Sequence, residues 1–304
     1  MEPNRKKGIA SALLAAALYT INAPFSKILL DYMPPTLTAG FLYIGAGSGM
    51  LFIALVRKLR GSGSKERGLT AAELPYTAAM ILLDIAAPIC LLFGLNATTA
   101  ANASLLNNFE IVATAVIALM VFHEKISPRL WAGILFVTLS CAVLSFEDIS
   151  GLHFSYGSLL VLLAAVCWGF ENNCTRKLSS KDPLQIVLLK GIFSGGGSVI
   201  IGLCAGERIK ACGSIAAALC VGFVAYGLSI YFYVYSQRLL GASRTSAYYA
   251  VAPFIAAFLS LLIFREMPGA TYFAAVILMA AGVWLSSRDE FRKRRKPAGR
   301  RRIK

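Results

Sequence analysis

The stretch SLLNNFEIVATAVIALMVFHEK, residues 104–125, places one ionisable side chain, Glu110, within an almost wholly apolar run. About 20 apolar residues are enough for a helix to cross the hydrocarbon core of a membrane. A carboxylate inside such a helix is costly in free energy, so it usually faces a cavity or a partner. The stretch therefore predicts a membrane helix whose acidic group has a specific role.

The whole chain has the composition of a membrane protein. Of its 304 residues, 57% are hydrophobic and only 15% are charged, whereas soluble domains have about 25% charged residues. Most apolar runs are rich in Ala, Leu and Gly, and several lack the alternation of a membrane β-strand. The predicted fold is an all-α polytopic membrane protein with ten transmembrane helices. We call the runs segments 1 to 10; they cover residues 8–30, 36–56, 74–95, 101–122, 129–146, 157–175, 184–205, 214–237, 245–264 and 269–286.

The basic residues predict the orientation. The formal net charge is +15, and most Lys and Arg lie at one side, in alternate loops and in the tail RDEFRKRRKPAGRRRIK, residues 288–304. Cytoplasmic loops carry an excess of Lys and Arg, so we expect both termini in the cytoplasm and the protein in the inner (plasma) membrane. We expect the tail to lie on anionic lipid headgroups. A nucleic-acid partner is not expected, because Phe291 is the tail's only aromatic residue for base stacking.

The chain also repeats itself. An offset of 142 residues aligns 104–145 with 246–287 without a gap, and an offset of 149 aligns Pro34 with Pro183 and Gly47 with Gly196. Five segments per unit is an odd number, so the second unit enters the membrane from the opposite side. We therefore expect two inverted five-helix repeats around a central cavity, an arrangement common in secondary transporters. The predicted units are 1–147, 156–287 and the basic tail 288–304.

The duplicated block, a small residue followed by Ser-Leu-Leu, an apolar run, Phe-X-Glu and then Gly, resembles the EamA domain of the drug/metabolite transporter superfamily. The second half adds AVCWGFENNCTRKLSSKDPLQIVLLKG at 165–191 and YGLSIYFYVYSQRLLGASRTSAYYAVAPF at 226–254. The resemblance implies a ten-helix, exporter-like carrier. It also implies that helices 1, 3, 4, 6, 8 and 9 line the cavity, while helices 5 and 10 support it or form a homodimer.

Two carboxylates lie near the middle of adjacent segments, Asp84 in segment 3 and Glu110 in segment 4. Because these segments are joined by a short turn, we expect the two groups to lie close together. Neighbouring carboxylates in a low dielectric tend to hold a proton, which suits proton coupling or recognition of a substrate cation. The alternative for Glu110 is a structural acceptor bonded to Asn107, Asn108 or a neighbouring helix. In the second repeat, Ala252 aligns with Glu110, so the geometry of the repeat does not require a carboxylate at this position.

A second polar group is FENNCTRK, residues 170–177. Glu171 and Lys190 lie at similar depths on antiparallel segments 6 and 7, roughly 8–9 Å from the same membrane face. A Glu171–Lys190 ion pair is therefore predicted, either as a fixed pair or as a gate. Asn172 and Asn173 have donors for a substrate or for another helix.

Further candidates come from the repeat alignment. Asn22 aligns with Glu171, and two tyrosines align with polar groups of the first repeat: Tyr226 with Asp84, and Tyr249 with Asn107. A tyrosine ring in a cavity can both stack on a substrate and donate a hydrogen bond to it.

These features favour a secondary carrier that exports small polar metabolites such as amino acids, with proton coupling as one energy source. An exporter of small cationic or aromatic drug-like compounds is the alternative. A membrane enzyme or a non-transporting partner protein is a third. For an enzyme, His123–Glu124 lacks the second histidine of HExxH because Ser127 stands there, and GxSxG is absent. No Walker loop is present, and the seven cysteines form no CxxC, so no cofactor or metal is expected.

Overall fold

The computed structural model describes residues 3–60, 68–122, 127–148, 153–178, 181–240, 245, 248–265 and 268–293. Eight of its helices are long and apolar enough to cross a membrane. They are Lys6–Leu29, Pro35–Leu59, Ala71–Ala97, Ala100–Val121, Pro128–Ser145, Tyr156–Leu178, Pro183–Cys204 and Gly213–Ser236. Two shorter apolar helices, Ala252–Phe264 and Ala270–Leu285, fall in segments 9 and 10. A two-stranded piece, Phe146–Asp148 with His153–Phe154, joins segments 5 and 6.

Several of these helices are interrupted near mid-length. Segment 1 consists of Pro3–Tyr19 and Asn22–Leu29, and segment 4 of Ala100–Leu106 and Phe109–Phe122. Segments 7 and 8 each contain a π-helical stretch, in which each backbone bond spans five residues. The pieces are Pro183–Leu189, Lys190–Ser194 (π) and Gly195–Cys204 in segment 7, and Gly213–Gly222, Phe223–Leu228 (π) and Ser229–Leu240 in segment 8.

The sequence explains the interruptions. Proline has no N–H, so Pro24 cannot donate to the carbonyl of Thr20, and segment 1 breaks at residues 20–21. Segment 4 has no proline there. Its break is a tighter turn at Asn107–Asn108, where the N–H groups of Glu110 and Ile111 donate to carbonyls only three residues back, at 3.1 and 3.0 Å.

Glycines allow the helices to approach at main-chain distance. Five pairs of segments meet in this way: 2 and 7 at Gly47 and Gly191, 2 and 8 at Gly45 and Gly222, 3 and 6 at Gly94 and Gly157, 5 and 10 at Gly282, and 4 and 6 at Gly169. A side chain at these positions would collide with the facing helix. Small residues at crossing points are typical of membrane helices, whose association depends on close packing.

Polar contacts join the loops at both ends of the helices. At the near face, where segment 1 begins, Lys181 forms a 3.0 Å ion pair with Glu73. At the far face, the Glu207 carboxylate accepts a 2.9 Å bond from the N–H of Leu37, at the start of segment 2. A carboxylate is favoured there because a helix N-terminus carries partial positive charge.

The Gly47–Gly191 crossing gives the first prediction. A Cβ on Gly191 would overlap the main chain of Gly47, so Gly191→Ala should destabilise the protein by about 1–3 kcal/mol. Gly196 lies one and a half turns further along the same segment, and a Cβ there would meet no atom within 4 Å. Gly196→Ala should therefore be neutral or stabilising by up to about 1 kcal/mol.

Thermal unfolding of the two variants in detergent, followed by tryptophan fluorescence, measures the difference. Equal melting temperatures for the two variants would contradict the assigned crossing.

Candidate functional site

Lys190 is the centre of a buried charge cluster. Its ammonium lies 2.5 Å from Oε1 of Glu171 and 3.2 Å from Oδ2 of Asp84, which confirms the predicted Glu171–Lys190 contact. The three side chains are only 1–6% exposed and come from segments 3, 6 and 7. A buried ion pair is stable only when each charge has good partners, because leaving water costs each ion several kcal/mol.

Two hydroxyl groups complete this cluster. Tyr43 of segment 2 donates a 3.1 Å hydrogen bond to Oδ1 of Asp84, and Thr175 donates to Glu171. The resemblance implied a cavity lined by segments 1, 3, 4, 6, 8 and 9, whereas the cluster also uses segments 2 and 7. Tyr43 was not among the sequence candidates. Its only signal was a hydroxyl group in the middle of an otherwise apolar run.

The π-helical stretches orient two members of the site. Lys190 is the first residue of one stretch, and Tyr226 lies in the other. A π turn holds an extra residue, which rotates the following side chains relative to an α-helix, and such turns are frequent at functional sites. Apolar periodicity did not reveal them, since one extra residue leaves a fully apolar run unchanged.

Glu110 has a different environment from the buried cluster. It is partly exposed and accepts a 2.5 Å hydrogen bond from the amide of Asn172 in segment 6. The two carboxylates that we expected to lie close together have different partners: Asp84 pairs with Lys190, while Glu110 pairs with Asn172. The break at Asn107–Asn108 and the π turn at Lys190 direct the two carboxylates to different partners. Glu171 interacts electrostatically with both of them.

Asn173 has a structural contact. Its amide donates to the carbonyls of Thr114 at 3.2 Å and Gly169 at 2.8 Å, which joins segment 6 to segment 4. Both of its N–H donors are therefore used within the protein. Of the two roles expected from the sequence, the geometry supports the contact between helices.

Tyrosine rings pack beside the charged groups. Tyr226 lies 5.0 Å from Tyr43 and 6.1 Å from Tyr19, and Tyr249 lies 5.7 Å from Tyr19 and 4.9 Å from Tyr233, between ring centroids. Tyr19 and Tyr249 also lie near Glu110. Segments 1, 2, 8 and 9 therefore provide an aromatic wall beside a carboxylate of segment 4.

Several buried polar atoms at the helix breaks have no hydrogen-bond partner within the described part of the chain. They are Nδ2 of Asn22, Oδ1 of Asn107, both amide atoms of Asn108 and the hydroxyl of Tyr226. Asn22 lies beside Tyr226, although the geometry of a hydrogen bond is not met. Buried polar groups are normally satisfied, so these atoms are available to a ligand or to water.

The charges of this site do not balance. Asp84, Glu110 and Glu171 are three carboxylates, and Lys190 is the one ammonium that contacts any of them among the described residues. Lys27, the other lysine within a segment, lies at the far face. There it donates to the carbonyls of Leu95 at 2.5 Å and Thr98 at 2.8 Å. The fully ionised site would carry excess negative charge in a low-dielectric region.

A cavity of about 650 Å³ opens beside Lys27 at the far face. Its wall includes polar side chains at the start of segments 4 and 10, among them Thr99, Asn102 and Thr271. None of the residues that line this cavity belongs to the charge cluster.

The remaining expectations concern metal ligands, cysteines, His123–Glu124 and the basic tail. Metal-binding groups of three or more His, Cys, Asp or Glu are absent from the described residues, where the seven cysteines are all free. His123 and Glu124, together with tail residues 294–304, lie outside the described ranges.

Comparison with known proteins identifies the family. The EamA-like transporter family matches residues 6–146 and 155–288, which is nearly the whole chain. The chain belongs to this family. The match comes in two blocks, with a boundary between segments 5 and 6.

Relatives of this EamA protein are named as transporters. It is 27% identical to an uncharacterized transporter of Methanothermobacter thermautotrophicus, over 91% of this chain and 85% of that one. It is 24% identical to a probable amino-acid metabolite efflux pump of Salmonella typhimurium, over 63% of this chain and 60% of the pump. A solved crystal structure shares the fold with a TM-score of 0.67 at 16% identity, covering 96% of this chain and 99% of that one.

The buried cluster gives the second prediction. Lys190→Met leaves two carboxylates without their cation and should destabilise the protein by about 3–5 kcal/mol. Exchanging the charges by Glu171→Lys with Lys190→Glu should not restore stability, because the exchanged acid would face Asp84. Adding Asp84→Asn to that exchange removes the repulsion and should recover part of the loss.

Melting temperatures of the four proteins in detergent measure this order. Full recovery by the two-residue exchange alone would exclude Asp84 from the cluster.

Proposed function

We propose that this EamA protein is a secondary transporter that exports small polar metabolites carrying an amino group, such as amino acids, in exchange for protons. The observation that carries the proposal is the partly exposed carboxylate of Glu110 in a site with excess negative charge. Either a proton or a substrate ammonium group would reduce that charge. Because the two compete for one carboxylate, binding of one would release the other.

The proposed architecture is ten membrane helices arranged as two inverted repeats. Packed pairs include segments 3–6, 1–8, 2–7, 2–8, 4–6, 4–9 and 5–10. Exchanging segments 1–5 with segments 6–10 converts the pair 3–6 into 8–1 and leaves the pairs 2–7, 4–9 and 5–10 unchanged. It converts 2–8 into 7–3 and 4–6 into 9–1, which also pack but less extensively. This pattern supports a pseudo-two-fold axis in the membrane plane, the geometry that lets one site open to either side in turn.

The proposed orientation has both termini in the cytoplasm of the inner membrane. It rests on the loop-by-loop excess of Lys and Arg, and the basic tail would then lie on anionic headgroups. A homodimer through segments 5 and 10 is proposed from the resemblance alone. Within the monomer these segments pack together, with Ser140 donating a 2.6 Å hydrogen bond to the carbonyl of Ala275.

The names of relatives support the substrate class. Proteins of Salmonella typhimurium and Escherichia coli, each 24% identical, are called probable amino-acid metabolite efflux pumps. The second candidate, export of small cationic or aromatic compounds, is favoured by the tyrosine rings beside Glu110. An enzyme is the weaker proposal, because relatives are named transporters.

The third prediction tests the role of Glu110. Purified protein in liposomes should move radiolabelled amino acids faster when a pH gradient is imposed. Glu110→Gln should lower this flux at least tenfold and remove its response to the gradient, because the amide cannot exchange a proton. The matched control is Asp31→Asn, an exposed carboxylate at the far face, which should leave both unchanged.

Protein-free liposomes give the background leak. Unchanged flux and unchanged pH response in Glu110→Gln would refute the proposed coupling site.

A further inference from the structure

We infer that the central site selects organic ammonium ions that lack a free carboxylate, namely amines and amino-acid amides or esters, over zwitterionic amino acids. This inference rests on the proposed transport function and narrows its substrate class: amino acids would still be moved, but more slowly than amines and amino-acid amides or esters. The structural basis is the juxtaposition of an unneutralised carboxylate, an aromatic wall and main-chain carbonyls, without a matching cation for a substrate carboxylate among the described residues.

Among the described residues, the positive charges near the site are already used. Lys190 contacts two carboxylates, and Lys27 contacts main-chain carbonyls at the far face. Arg57, at the near-face end of segment 2, donates a 2.7 Å bond to the hydroxyl of Tyr231. A zwitterion would place its carboxylate beside Glu110, Glu171 and Asp84. Like charges in a low-dielectric region repel strongly, so the zwitterion is disfavoured.

Three main-chain N–H groups just after two of the helix breaks are already used. Interrupted membrane helices can bind a substrate carboxylate through free N–H groups at a helix start. Here the N–H groups of Glu110 and Ile111 donate across the break in segment 4, and that of Phe25 donates to Ile21 at 3.1 Å across the break in segment 1. These three main-chain amides are therefore not available to a substrate carboxylate.

The prolines of the site add acceptors instead. Pro24, Pro88 and Pro253 each lie four residues after a residue at or beside the site, namely Thr20, Asp84 and Tyr249. Proline has no N–H, so none of these three carbonyls receives the usual helical bond from the residue four positions on. Carbonyl oxygens carry partial negative charge, which favours a cation in the same region as the carboxylate.

The aromatic wall suits the remainder of such a substrate. Tyr19 and Tyr249 lie 5.7 Å apart between ring centroids, and both lie near Glu110. An ammonium near these rings gains cation–π attraction, and its apolar body can stack on them. The free amide nitrogens of Asn22 and Asn108 can donate to a neutral carbonyl oxygen, as in an amide or ester.

The test compares three compounds that differ only in the carboxyl group: phenylalanine, phenylalaninamide and 2-phenylethylamine. Binding of each to the purified full-length protein in detergent is measured by isothermal titration calorimetry. We expect the amine and the amide to bind at least tenfold more tightly than the amino acid. Equal or tighter binding of phenylalanine would overturn the inference.

Variants separate specific recognition from general adsorption. Glu110→Gln should weaken binding of the amine at least tenfold and reduce the preference of the protein for the amine over phenylalanine. Asp31→Asn should change neither the affinity nor the preference. Tyr249→Leu should weaken binding of the amine about threefold to tenfold, because the face of the aromatic ring is lost. If the wild type and Glu110→Gln bind the amine equally tightly, the ammonium binds elsewhere and the inference is overturned.

Transport distinguishes this inference from the proposed function. The same three compounds, radiolabelled, are offered to proteoliposomes alongside an amino-acid mixture. Faster movement of the amine and amide than of phenylalanine supports the inference. Movement of amino acids alone would overturn the selectivity and leave the transporter proposal intact. Movement of none of them above the protein-free background would count against both.

Discussion

The ammonium of Lys190, held between Glu171 and Asp84, is the interaction on which the rest of the site depends. A lone charge in this environment would be too costly to retain, and removing one partner leaves the others uncompensated. The cluster therefore fixes segments 3, 6 and 7 at a common depth. Its hydroxyl partners extend this constraint to segment 2 through Tyr43.

The molecule separates buried charge from accessible charge. Lys190 and its two carboxylates are almost fully buried, whereas Glu110 is partly exposed and bonded to an uncharged amide. An uncharged partner leaves the charge of Glu110 uncompensated, which is the basis of its proposed role. The tyrosines of segments 1, 2, 8 and 9 pack on one another through their rings.

Sequence reasoning succeeded where position along the chain, and hence depth in the membrane, was sufficient. Hydropathy located the apolar segments, and equal depth on antiparallel segments predicted the Glu171–Lys190 contact. It failed where rotation about a helix axis decides the partner. The π turn beginning at Lys190 brings the ammonium to Asp84 as well, and the turn at Asn107–Asn108 directs Glu110 to Asn172. Neither rotation has a sequence signature in a run that is apolar on every face.

The contact between Gly47 and Gly191 has a consequence for sequence divergence. Gly191 directly follows Lys190, so main-chain contact between two helices sets the depth of the ammonium in the membrane. The surrounding leucines and isoleucines can exchange during evolution without moving it. Homologous proteins can thus change most of their lipid-facing residues and still keep the charge cluster at this depth, provided that both glycines remain.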